Sequence, residues 1–158
     1  MFILDYKVAA GFCLLAHLFP PRRMSKVKKV ATKASISLSK ESMIRIVQNH
    51  GDVTLTVEKV RDAAMQLKQT IQPYIIVVGS IQDMQQIFVC IDDHFHKVEK
   101  FIDAIDLCFK SFFVFNLCYP ESSRHLWVLI QNGVYKICNK SSYALEDVSI
   151  QHALKLLN

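Results

Sequence analysis

Apolar residues recur along this chain with two different periods, and the change from one to the other predicts its elements. Val57, Val60, Ala64, Leu67 and Ile71 are separated by steps of three and four, while Glu58, Arg61, Asp62 and Lys68 lie off that seam. The spacing predicts a helix over residues 56–70, docked on its own domain because two heptads are too few for a free coiled coil in water. Residues 74–78 (Tyr-Ile-Ile-Val-Val) then form a continuous run of β-formers between Pro73 and Gly79, as a strand buried on both faces would. Residues 86–91 are a second such run, and residues 95–98 return as a third after the turn-like Asp92-Asp93. The simplest arrangement is a small antiparallel sheet of two or three strands, which needs a helix against one face for stability.

That helix is next in the chain. Val98, Phe101, Ile102, Ile105, Cys108, Phe109, Phe112 and Phe115 repeat at helical spacing, and Glu99, Lys100, Asp103, Asp106 and Lys110 fall on the other side. Beyond Leu107 the apolar face widens to take in Phe113, Val114 and Leu117, which predicts cover from both sides. Tyr119-Pro120 breaks the helix, and Pro120-Glu121 can start another whose stripe is Leu126, Trp127, Ile130, Val134 and Ile137. Ile150, Ala153, Leu154 and Leu157 repeat the pattern in the tail. Upstream, Ser39 can cap a short helix bearing Met43, Ile44 and Val47, which Asn49-His50-Gly51 stops. The fold class expected is α+β: a small antiparallel sheet packed on a long aromatic-rich helix and a second helix, preceded by short helices.

Composition places the boundaries. With 158 residues, 51% of them hydrophobic, the chain can bury one real core. The net charge of +5 is concentrated: Arg22, Arg23, Lys26, Lys28, Lys29, Lys33 and Lys40 lie between Pro20 and Lys40 with no acid among them. From Glu41 onward 11 Lys and Arg face 13 Asp and Glu, so the folded part is slightly acidic. Three segments follow: an apolar helix in 1–21, ended by Pro20-Pro21 and read as the remnant of an upstream region; a basic flexible linker in 22–38; and a single α+β domain in 39–158 with its core in 72–137. The apolar run from Val8 to Phe19 is too short to span a bilayer, and Asp5 and Lys7 before it do not suit a secretory leader. Five cysteines without CxxC spacing are read as small buried hydrophobes of a reduced compartment, so the location expected is intracellular, nucleus or cytoplasm.

Residues that could carry chemistry are few. Cys90, Asp92, His94 and His96 alternate within seven residues and would share one face of a straight strand, a geometry a transition metal accepts. A turn at Asp92-Asp93 breaks the alternation and sends the histidines up the returning strand, so no metal is assigned. Asp103 and Asp106 are one helical turn apart on a polar face, where a solvated pair is expected rather than acid–base chemistry. Ser80, Ser122 and Ser123 lack a nucleophile context, and four glycines do not make a phosphate loop. Neither an enzyme nor a cofactor is nominated. Arg22, Arg23, Lys26, Lys28, Lys29 and Lys33 are the residues that would contact phosphate or an import receptor, though aromatics to stack on bases are missing between them. Trp127 and the row Phe109, Phe112, Phe113 and Phe115 are read as core before they are read as a partner groove, while a sheet of two or three strands leaves an edge for a partner strand.

Residues 72–79 (Gln-Pro-Tyr-Ile-Ile-Val-Val-Gly), Ile91-Asp92-Asp93, residues 104–110, Phe115-Asn116-Leu117, Tyr119-Pro120-Glu121 and residues 127–137 together carry a resemblance. Over residues 39–137 the chain resembles a C-terminal module of uncharacterised animal proteins, some of which look like sterile-alpha-motif-containing or mobile-element-derived predicted proteins. The resemblance brings no catalytic or ligand residue with it, and it implies a longer region upstream. The function expected is therefore a noncatalytic protein-interaction module with an unidentified protein partner. The alternative is a nucleic-acid-associated protein that contacts phosphates through the basic segment 22–40.

Overall fold

The structure, a computed structural model, describes residues 2–21, 35–137 and 148–156. Helix α1 (Phe2–Leu18) and helix α2 (Ile36–Glu41) lead into strand β1 (Ile44–Val47), helix α3 (Gly51–Leu67), strand β2 (Tyr74–Gly79), strand β3 (Met84–Ile91) and strand β4 (His94–Val98). Helices α4 (Phe101–Val114), α5 (Arg124–Gly133) and α6 (Val148–Leu156) complete the α+β fold. The four strands lie in the order β1-β2-β3-β4.

The sheet is mixed, where the sequence predicts antiparallel pairing of two or three strands. β1 runs parallel to β2, with Ile44 opposite Ile75 and Val47 opposite Val78, and α3 makes the crossover between them. β2 to β3 and β3 to β4 are antiparallel, from Tyr74 opposite Cys90 and from Ile91 opposite His94. Met43, Ile44 and Val47 have helical spacing, yet the segment after Ser42 is extended. Ile44 and Ile46 point to one face and Arg45 and Val47 to the other, and the partner that makes this a strand lies some thirty residues downstream. The short helix before it is capped by Ser35, which accepts from Leu38 N–H at 3.0 Å, rather than by Ser39, which is buried.

Two layers of helix cover the sheet. Ile44, Ile75, Val77, Ile87 and Val89 face α1, α4 and α5, and Tyr74, Ile76, Val78, Phe88 and Cys90 face Val53 and Val57 of α3. β2 is buried along its whole length, as its unbroken β-forming run requires. α3 starts earlier than its seam predicts because Asn49 N–H donates to the Asp52 carboxylate at 3.1 Å and brings Gly51 inside the helix. Lys68, in the left-handed region, ends it.

Helix α1 belongs to this core, although the sequence separates it from the domain. Its Phe12 packs edge-on against Phe101 at 5.6 Å and Trp127 at 6.0 Å, and Ala9 and Ala16 are buried beside it. The Phe19 carbonyl meets His125 Nε2 at 2.8 Å. A helix apolar on every side has no stripe to announce which face is covered, so periodicity alone leaves it without a partner. Among the described residues no helix is long and apolar enough to cross a membrane.

Candidate functional site

Strand β4 forms one rim of the sheet. Its alternation places Phe95 and Lys97 on the α3 side with Cys90 and Phe88, and His94, His96 and Val98 on the α4 side with Ile91, Val89 and Ile87. His94 through Lys97 are all exposed. The turn that turns β3 into β4 has Asp92 at φ 54°, a conformation aspartate tolerates, and the Cys90 thiol donates to the Asp92 carbonyl at 3.6 Å. Cys90 therefore sits on the opposite face from the two histidines, and the four residues with metal-like spacing do not converge. Among the described residues no group of three or more His, Cys, Asp and Glu side chains is arranged to hold a metal.

Helix α3 is tied to the sheet at both ends of this rim. His50 Nδ1 lies 2.6 Å from Gln86 Oε1, and Arg61 pairs with Asp93 at the hairpin tip. Between these two ties Phe88, 8% exposed, touches the His50 ring and the edge of Phe95 at 6.4 Å, while Phe95 itself is 42% exposed. The result is an open shelf: an aromatic floor, a basic Lys97 beside it, and a strand edge with no neighbour in the sheet. Such an edge offers backbone donors and acceptors to an added strand.

A second exposed surface lies at the end of α4. Phe113, Val114 and Phe115 are exposed, the last two at 75% and 57%, and Val134 and Ile137 are exposed as well. Among the described residues, the cover from both sides that the widening apolar face predicts is therefore not present at Phe113, Val114 and Phe115, while Leu117 packs half-buried against the core. The row divides: Phe109, Phe112 and Trp127 are core, with Phe109 stacked on Tyr135 at 3.9 Å, whereas Phe113 leans on Phe109 from outside. Helix α4 ends sooner than the pattern because Asn116 takes the left-handed conformation and Leu117 N–H bonds back to the Phe112 carbonyl at 2.8 Å.

Asp103 and Asp106 have different surroundings. Asp103 is exposed, and Asp106 accepts from Lys110 Nζ at 2.6 Å and from Tyr135 Oη at 2.9 Å. Partial burial pushes its carboxyl up, but these two bonds and the Lys110 charge outweigh that and hold it below the usual carboxylate value. Burial raises the thiols of Cys13, Cys90 and Cys108, so none of the three is a ready nucleophile. Burial likewise drives the phenol of Tyr74 far up and that of Tyr119 to about 12.

Arg22, Arg23, Lys26, Lys28, Lys29 and Lys33 lie outside the described residues. Lys40, at the end of the same basic run, is half-buried in the last turn of α2. What the sequence reading leaves unidentified is that β4, like β1 at the opposite rim, is an edge strand of the sheet. The signal is present in His94-Phe95-His96-Lys97, where polar residues occupy both faces of the run, as only a strand with little cover permits. Comparison of the chain with protein-family models, with curated proteins and with solved structures finds no match.

Proposed function

We propose that this chain is a noncatalytic protein-interaction module whose docking strand is β4. The observation that carries this reading is the rim itself: a regular five-residue outer strand, exposed from His94 to Lys97, held at both flanks by the His50–Gln86 and Arg61–Asp93 ties. A strand fixed in this way loses little conformational freedom when another strand adds to it. The raised thiols and the dispersed carboxylates support the noncatalytic part of the reading.

The test is a proline at Lys97. Its N–H points away from β3, so Lys97→Pro removes an outward donor and leaves the β3 ladder intact. Cross-linking of the wild-type chain in animal cell lysate is expected to trap a protein on peptides containing residues 92–100, and the variant is expected to lose it. Partners that bind both forms equally contradict the assignment.

The basic run supports a second reading, contact with nucleic acid. Seven positive charges without an acid between Pro20 and Lys40 can neutralise several phosphates. Anisotropy of labelled DNA and RNA titrated with the full chain should then show binding that falls steeply with salt and disappears when Arg22, Arg23, Lys26, Lys28 and Lys29 are neutralised. Binding indifferent to these changes contradicts it.

A further inference from the structure

The two-residue turn Asp92-Asp93 closes the hairpin on the pair Ile91 and His94. His94, His96 and Val98 therefore direct their backbone N–H and C=O groups to β3, and Phe95 and Lys97 direct theirs outward. We propose that two copies of this chain associate through β4, antiparallel about a two-fold axis at His96, so that their sheets become one continuous sheet. The proposal rests on the reading of β4 as the docking strand and names the occupant.

The charges and the backbone agree on this occupant. In the register centred on His96, Phe95 lies opposite Lys97 of the second copy. Both residues present outward backbone groups, so each such pair exchanges two hydrogen bonds, and the symmetry makes the pair twice. Phe95 and Lys97 also share the α3-side face, which lays the lysine stem and ammonium over the exposed phenyl ring. Past the strand ends, the hairpin turn that carries Asp92 comes beside the segment that carries Lys100 of the second copy, so that the long lysine side chain reaches the carboxylate, again twice. Neither residue has an ion pair among the described residues, so the association gives each an opposite charge. Asp93 meets Glu99, the one like-signed pair, and Arg61 already neutralises Asp93.

Neighbouring registers fit less well. Centring on Lys97 sets the two ammonium groups against each other, and centring on Phe95 shortens the ladder. His96 is the middle residue of β4, so only its register uses the whole strand. The strand contains no proline, and its pairing with β3 is unbroken by a bulge, so neither device blunts the edge.

Sedimentation velocity of the full chain over a concentration series tests this, with Lys100→Glu, the charge swap Asp92→Lys/Lys100→Glu, and Lys97→Pro. The wild type is expected to form a dimer with rising concentration. Lys100→Glu, which turns two attractions into two repulsions, should weaken it about tenfold, and the swap should restore it. Lys97→Pro should abolish it. A chain monomeric throughout, or a dimer indifferent to Lys100→Glu and to the swap, overturns the second copy as occupant. In the first case, a different protein bound through β4 and lost with Lys97→Pro would leave the docking strand standing, whereas its absence would remove both.

Discussion

Asp5 caps a helix that begins 96 residues later: its two carboxylate oxygens accept the Phe101 N–H at 2.8 and 2.9 Å. Lys100, at the N-cap of α4, makes no side-chain cap bond of its own, so a residue from α1 does the work that a local Ser or Asp usually does. Helix α1 is thereby joined to the domain at its start by Asp5, along its middle by Phe12, and at its end by the Phe19 carbonyl and His125. Asp5→Ala should cost about 1 kcal/mol of stability, the ordinary value of a lost cap with its dipole contribution. Urea unfolding followed by far-ultraviolet circular dichroism measures it.

Phe12 contributes more than the cap. It lies between Phe101 and Trp127, and truncation leaves a hole bordered by two aromatic rings. Phe12→Ala should destabilise by about 3–5 kcal/mol, whereas Leu14→Ala, on the exposed side of the same helix, should stay within about 0.5 kcal/mol. Equal effects of the two substitutions would contradict the packing of α1 on α4 and α5.

Gly79 ends β2 at φ 101°, and a Cβ there would run into the Asp83 carbonyl. Backbone conformation and close approach act together at this position. Gly79→Ala should cost about 2 kcal/mol, read as a lowered urea midpoint with an unchanged slope.

The Asp106 cluster predicts a pH dependence of stability. The folded-state carboxyl is held below its ordinary value of about 3.9, so its contribution is present above that pH and is lost as pH falls through the lower folded value. Lys110→Met/Tyr135→Phe removes both donors. Below about pH 4 the wild type should lose stability more steeply than this double variant, and the two curves should converge in strong acid. Parallel curves would show that the two bonds do not hold the carboxylate.

Local chemistry made much of this fold legible. Tyr74 to Val78 is buried on both sides because its neighbours in the sheet and helices on each face all demand apolar side chains, and an unbroken β-forming run records that demand. Asp92-Asp93 marks the hairpin because few residue types tolerate the left-handed backbone that Asp92 adopts there. The parallel strand β1 was hidden for the opposite reason. Four residues carry no reliable period, and what makes them a strand is a partner beyond a helix. The helix in 1–21 was legible, but its docking on the domain was hidden because apolar residues on every side give no direction. At the rim, the hairpin was readable and so was the separation of Cys90 from His94 and His96, but the ties from His50 to Gln86 and from Arg61 to Asp93 join residues more than thirty positions apart. No spacing rule reaches across that distance.

The claim that β4 docks against β4 of a second copy meets its most direct test in residue-resolved amide hydrogen exchange of dilute and concentrated chain. The outward N–H groups of Phe95 and Lys97 should exchange freely in the dilute sample and slow in the concentrated one, while His96, already bonded to β3, should stay protected in both. Unchanged exchange at Phe95 and Lys97, with new protection at Phe113 to Phe115 instead, would move the interface to the end of α4 and contradict the account.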